Sequence, residues 1–249
     1  MLRSFSATFV AAAVVTQIAI LTTTVYLHRT LTHRAVALRP GAAAVFRTLT
    51  WVTTGIRPRQ WVAVHRLHHA HADEEGDPHS PRLLGFGMVQ FANAYLYRRA
   101  AARPEVVERY ARDIKVDRWD RALFDHALVG LGLGIAVLCV VLGPALGLLA
   151  ALTHAVGYLL LSAAVNAAGH LWGRRPHPNA AGNLAWLAWL AGGEGLHNNH
   201  HAVPTAARLS FSRGQVDPGW WVISMLRRAG WATVRLDPAA VSARQRATA

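Results

Sequence analysis

Nine of the chain's 14 histidines fall into three tight groups and one outlier: His28-Arg-Thr-Leu-Thr-His33, His65-Arg-Leu-His68-His69, His197-Asn-Asn-His200-His201, and His170 four residues after Asn166. A neutral imidazole is the commonest protein metal ligand, and nine of them beside lipid-length apolar segments point to more than one metal ion. In each HxxHH group the first histidine is followed at i+3 and i+4, so on a helix the three rings share an arc of about 100° and can converge on one pocket. His28 and His33 lie five apart, roughly 140° around an ideal helix, so sharing a site requires a loosened helix end. Imidazole alone suits Zn, Cu, Fe and Ni and does not select among them. Soluble di-iron bundles use paired Glu-x-x-His motifs; one such spacing occurs, Glu194 to His197, and no second, which excludes an all-carboxylate cage. The scattered His71, His79, His126, His154 and His177 read first as packing or surface residues.

The elements that must position these groups follow from where charge is absent. Phe5 to Leu27 carries none, and its 23 residues reach about 34 Å as a helix, enough to cross a ~30 Å hydrocarbon core. It runs directly into His28 with no small-residue cleavage site, unlike a signal peptide. Ala127 to Val165 is also free of charge, and its 39 residues suit two crossings with a bend at Gly143-Pro144. Spans are therefore expected near 5–27, 127–143 and 145–165. Gly130 with Gly134, and Gly143 with Gly147, have small-xxx-small spacing, read as close helix packing. Gly41 to Ile56 is shorter and carries Arg47, which favours a half-buried or re-entrant helix. Trp51, Trp61, Trp186, Trp189, Trp220 and Trp221 suit interfacial depth, with about half of them equally suited to core packing.

The 249 residues are 53% hydrophobic and 16% charged, more apolar than an ordinary soluble domain. One domain, 1–249, partly in the bilayer, accounts for this. The net charge of +13 suggests nucleic acid, but the basic residues are interleaved with apolar runs and lack a recognition motif, which argues against it. Three crossings put 28–126 and 166–249 on one side, with 25 of the 26 Lys and Arg residues; only Arg3 falls opposite. The positive-inside rule makes the histidine side cytoplasmic. Cys139, the single cysteine, has no disulfide or metal-knuckle partner. The tail 239–249 reads as disordered.

The order of the histidine groups, with a helical hairpin between the second group and Asn166–His170, resembles the integral-membrane fatty acid desaturases of the acyl-CoA delta-9 type. Gly-Asp-Pro-His at 76–79, Asn-Ala-Ala-Gly-His-Leu-Trp-Gly at 166–173, Gly-Glu-Gly-Leu-His-Asn-Asn-His-His-Ala at 193–202 and Val216-Asp217-Pro218 agree with it. The resemblance implies an all-α, mushroom-like integral membrane protein, its cytosolic helical cap (28–126 and 166–238) holding a di-iron centre. The implied ligands are His28, His33, His65, His68, His69, His170, His197, His200 and His201, with Asn166 approaching one iron through water. Asp77, His79 and Glu194 are candidates to orient imidazoles from behind. The implied reaction is an O2-dependent dehydrogenation that consumes two electrons and leaves a cis double bond in a fatty acyl lipid carried on CoA, acyl carrier protein or phospholipid.

Departures accompany the resemblance. Members usually place two spans before the first group where this chain has one; vertebrate acyl-CoA members carry Arg-Asp where Ala63-Val64 stand here; Leu196 replaces a common tryptophan. Arg57, Arg59, Arg98 and Arg99 are candidates for a phosphate or lipid headgroup. No haem motif follows Trp221 and no GxGxxG opens a helix, so an external electron donor is expected, a small acidic ferredoxin or similar carrier steered to the basic face. Hydroxylation, acetylene formation or decarboxylation of a fatty acid are alternative outcomes of the same hydrogen abstraction. A membrane metal-binding protein without redox turnover is the alternative from another class.

Overall fold

The computed structural model describes residues 2–236; the tail 239–249 lies outside the described residues. Helix α1 (Leu2–Thr22) continues without a break into a π-helical segment (Thr23–Thr32). Among the described residues, Ser4–Thr32 is one of two helices long and apolar enough to cross a membrane, and α8 (Pro144–Leu171) is the other. Between them come β1 (Val36–Leu38), α2 (Pro40–Thr54), α3 (Pro58–Ala70), α4 (Pro81–Leu84), α5 (Phe86–Ala101), α6 (Pro104–Ala111) and a short π-helical turn (Asp120–Phe124).

Helix α7 (Ala127–Leu142) is apolar but only 16 residues long, and it forms the expected hairpin with α8. Gly143 takes φ 85°, a left-handed conformation that glycine adopts without a Cβ clash, and Pro144 opens α8, where its missing N–H costs nothing. α8 runs past the expected end at 165 to Leu171, so Asn166 and His170 ride on its last turns.

The intermediate apolar stretch is α2, which packs against both α1 and α7. Arg47, the charge that argued against a crossing, pairs with Asp117 at 2.8 and 3.0 Å and with Asp120. A Cβ added to Gly130 would fall 2.6 Å from the Trp51 ring, and one on Gly134 2.3 Å from the Val52 carbonyl oxygen. The small-residue spacing thus serves the approach of α7 to α2, while Gly147 lies against Cys139 across the hairpin. Gly134→Ala is expected to cost about 1–3 kcal/mol by overpacking, read as a lower Tm in detergent. Gly132→Ala, with nothing within 4 Å, should leave Tm unchanged or slightly raised.

The chain closes with α9 (Ala185–Leu190), α10 (His197–Ala202), α11 (Pro218–Arg228) and β2 (Ala232–Val234). β1 and β2 pair antiparallel, a departure from an all-helical expectation, and they cover an apolar cluster containing Val25, Val36, Ala207 and Ile223. Three-residue strands are too short to show a period in the sequence. The tryptophans divide. Trp186, Trp189 and Trp221 are about half exposed, whereas Trp51 is buried and Trp61 stacks on His65, a packing role in place of the interfacial one.

Candidate metal centre

The first histidine pair is aligned by backbone, not by a frayed end. π-Helical hydrogen bonds run between residues five apart: His33 N–H donates to the His28 carbonyl at 3.1 Å, and the Thr30 and Thr32 hydroxyls donate to the Val25 and Leu27 carbonyls, each at 2.8 Å. The 140° offset of an ideal α-helix therefore closes, and the two rings stand 4.7 Å apart. α3 carries His65, His68 and His69 on one face, α10 carries His197, His200 and His201, and α8 delivers His170.

All nine meet, in two sets. His28, His33, His65, His69 and His200 form a group of five, and His68, His170, His197 and His201 a group of four; within each, one nitrogen per ring lies within 4.8 Å of the others. The sets adjoin, with the His69 and His201 rings stacked at 4.4 Å. Contacts between Nε2 atoms run His28–His200 3.1 Å, His200–His69 2.9 Å, His69–His65 3.1 Å and His65–His33 3.2 Å in the first group. In the second they are His170–His197 2.9 Å and His201–His197 3.2 Å.

These contacts test whether the residues suit a metal. His28 Nδ1 faces Glu194 at 2.9 Å, His68 Nδ1 faces both oxygens of Asp77 at 3.0 Å, and His170 Nδ1 faces Asp73 at 2.9 Å. A carboxylate accepts only, so the proton of each of these three rings is assigned to Nδ1 and its Nε2 carries a lone pair. His28 and His170 thus turn lone pairs toward the rings of His200 and His197, 3.1 and 2.9 Å away, an arrangement that a cation between the rings would satisfy. Nitrogens at right angles about a cation ~2.1 Å away would be about 3.0 Å apart, the spacing found. Burial adds to this: desolvation holds His65, His69, His197 and His200 well below the ordinary histidine range, and His201 down at about 3, so the rings are neutral ligands. His68 Nε2 is buried and lacks a hydrogen-bond partner. The residues fit a pair of nitrogen-loving cations.

The residues expected to orient imidazoles take distinct places. Glu194 also accepts from the Thr24 hydroxyl, and although burial raises its pKa, His28 and Arg29 hold it below the ordinary carboxylate value. Burial pushes Asp77 up to about 6 against backbone N–H groups of His79 and Asp73 that pull it down. His79, assigned first to packing, has its ring 4.7 Å from His68 and a buried Nε2 without a hydrogen-bond partner. His154 is a satisfied packing residue: its ring nitrogens meet the Thr16 hydroxyl at 3.0 Å and the Thr53 carbonyl at 2.8 Å.

Sequence reasoning missed Asp73, four residues before Asp77 in the same acidic run, which also accepts from Ser80 at 2.7 Å. It missed Arg29 as well, inside the first histidine group. Arg29 is 1% exposed and makes a bidentate pair with Asp217 at 2.8 and 3.0 Å, and it donates to the Ala207 and Gly192 carbonyls. The Asn-Asn between His197 and His200 is also structural: Asn198 and Asn199 are buried and bond Asn179, Asn183 and Gln215, fixing α10.

A cavity of about 1050 Å³ reaches the centre, at the upper end of the range for ligand pockets. Trp61, His65 and Asn166 line it together with Leu131, Ala151 and Leu152 of the hairpin. Asn166 shares that lining with His28 and His197. Of the four arginines considered for a headgroup, Arg57 and Arg98 border the cavity, while Arg59 is paired with Glu108 at 2.7 Å.

The family signature of the fatty acid desaturases matches residues 4–213, which hold all nine of these histidines. The chain belongs to that family. It is 30% identical to delta-9 acyl-lipid desaturase 2 of Arabidopsis thaliana, over 84% of this chain and 68% of the relative. It is 32% identical to an acyl-CoA C20 delta-5 desaturase of Anemone leveillei, over 85% and 68%. To the chloroplastic palmitoyl-monogalactosyldiacylglycerol delta-7 desaturase of Arabidopsis thaliana it is 30% identical, over 84% and 57%. The chain is thus an oxidoreductase of lipid metabolism with histidine clusters suited to metal.

Proposed function

We propose that the protein is a membrane-bound, O2-dependent fatty acyl desaturase with two irons, one in each histidine group. The observation that carries this reading is the junction of two imidazole clusters, free of carboxylate among their facing nitrogens, with a large, mostly apolar cavity. Iron, with O2 and two electrons, supplies the power to break unactivated C–H bonds. His28, His33, His65, His69 and His200 would hold one ion, and His68, His170, His197 and His201 the other, with Asn166 approaching through water.

The chain's own residues do the rest. Asp73, Asp77 and Glu194 keep the proton of His170, His68 and His28 on Nδ1, turning Nε2 toward the ion. Trp61, stacked on His65 with centroids 4.8 Å apart, holds that ring flat at the cavity wall. The hairpin residues exclude water and fix the acyl chain lengthwise, and small misplacements along it cost rate. Product regiochemistry is therefore set by position. Ser4–Thr32 and Pro144–Leu171 anchor the protein in the bilayer with α7 as a third crossing, and the distribution of basic residues puts the metal centre on the cytoplasmic side. The basic face suits an acidic electron carrier such as a ferredoxin, and the named relatives support a fatty acyl lipid as substrate.

Mass-spectrometric lipid profiling of cells expressing the protein tests this: a new cis-alkene is expected. A hydroxylated or chain-shortened product without any alkene would replace desaturation by the related outcomes. Filling the cavity with Ala151→Phe should lower turnover of long chains more than short ones, with metal content unchanged, in a competition assay using mixed chain lengths.

A further inference from the structure

The two histidine groups differ in what stands behind them. In the group of four, two imidazoles give Nδ1–H to buried carboxylates, His68 to Asp77 at 3.0 Å and His170 to Asp73 at 2.9 Å. In the group of five only His28 does so among the hydrogen bonds of the described residues, to Glu194 at 2.9 Å.

The counter-charges widen this difference. Arg29 lies 3.6 Å from Glu194 and is 1% exposed, and the nitrogen that faces Glu194 also pairs with Asp217 at 2.8 Å, so the part of its positive charge that Asp217 does not offset acts on Glu194 through a medium that screens little. Asp73 meets Arg82 at 3.1 Å, but Arg82 is 39% exposed and its charge is damped by solvent. Asp77 has no Arg or Lys ion pair among the described residues; its oxygens take the N–H groups of His68, Asp73 and His79. A carboxylate that accepts a ligand's N–H raises the basicity of the metal-facing nitrogen, and negative charge at low dielectric favours the more highly charged state of a bound ion.

Resting on the di-iron reading above, we propose that Asp73 and Asp77 make the four-imidazole site the first of the two to be oxidised. Starting from two ferrous ions, the one held by His68, His170, His197 and His201 becomes ferric first, its single electron passing to a one-electron acceptor. Asp73 and Asp77 act through His170 and His68 and are positioning residues. The asymmetry in carboxylates adds to the five-to-four division of the imidazoles and sets the direction of the order of oxidation.

Protein loaded anaerobically with two ⁵⁷Fe(II) and titrated with ferricyanide, followed by Mössbauer spectroscopy, tests the order. One ferrous doublet is expected to vanish with the first equivalent per chain. It should be the doublet whose parameters Asp77→Asn shifts, while Glu194→Gln shifts the one lost second. In Asp77→Asn the two doublets should decline together, and Asp77→Glu, which keeps the charge, should restore the order. Where Asp77→Asn fails to retain iron, Asp73→Asn serves in its place and should shift the early doublet. Both doublets declining together in the unsubstituted protein, or an early doublet that responds to Glu194→Gln, overturns the proposal. Fewer than two irons per chain before oxidation defeats the di-iron reading instead, a separate result seen in the iron analysis.

Discussion

Replacing His200 with alanine is expected to abolish turnover and to remove about one of two metal ions per chain, while the amount of protein in the membrane fraction stays the same. His200 Nε2 lies 3.1 Å from His28 Nε2 and 2.9 Å from His69 Nε2, so it links the contribution of the first helix to that of α3. Loss of a partner behind a ligand typically costs 10- to 100-fold in metal affinity, and loss of the ligand itself should cost at least as much. Insertion is unaffected because no apolar span is altered. Metal analysis of the purified variant beside product analysis checks both halves. His126→Ala is the matched comparison, since His126 is exposed and contributes its backbone carbonyl to Trp51; it should leave metal and turnover as they were. Equal behaviour of the two variants would contradict the division of the histidines.

The second large effect is on stability. Arg29→Met leaves Asp217, 2% exposed, as an uncompensated buried charge, and breaking a buried pair from one side costs about 3–5 kcal/mol. The carbonyls of Ala207 and Gly192 lose a donor at the same time. A strongly lowered Tm, or failure to accumulate, is expected. The double variant Arg29→Met/Asp217→Leu should recover part of the loss, because replacing both ions by apolar groups removes the unpaired charge. Thermal unfolding of the two variants side by side reads the difference. A single variant as stable as the parent would show that this pair does not tie the first histidine helix to α11.

The ligand residues were legible because their types and spacings are local: HxxHH puts three rings on one helical face whatever surrounds it, and Gly143-Pro144 breaks an apolar run wherever it occurs. The rest depends on contacts between distant segments. Asp73 reaches His170 across 97 residues and Arg29 reaches Asp217 across 188, and no period in either segment announces the meeting. The π-helix is a subtler case. A five-residue spacing signalled that an ideal helix would not serve, yet the sequence reading stopped at a loosened end, where the structure winds one residue more into the turn. His79 stood both among the scattered histidines and among the candidates to orient imidazoles, because its neighbour His68 lies 11 positions earlier; the Asp77 between them binds both. The β1–β2 pair escaped notice for want of length.

Metal content after anaerobic purification from iron-supplied cells bears most directly on the two-cluster centre. Two irons per chain are predicted, falling to about one when a ligand of either group is removed. A single zinc, or metal content indifferent to the loss of His200 and of His170 alike, would contradict it.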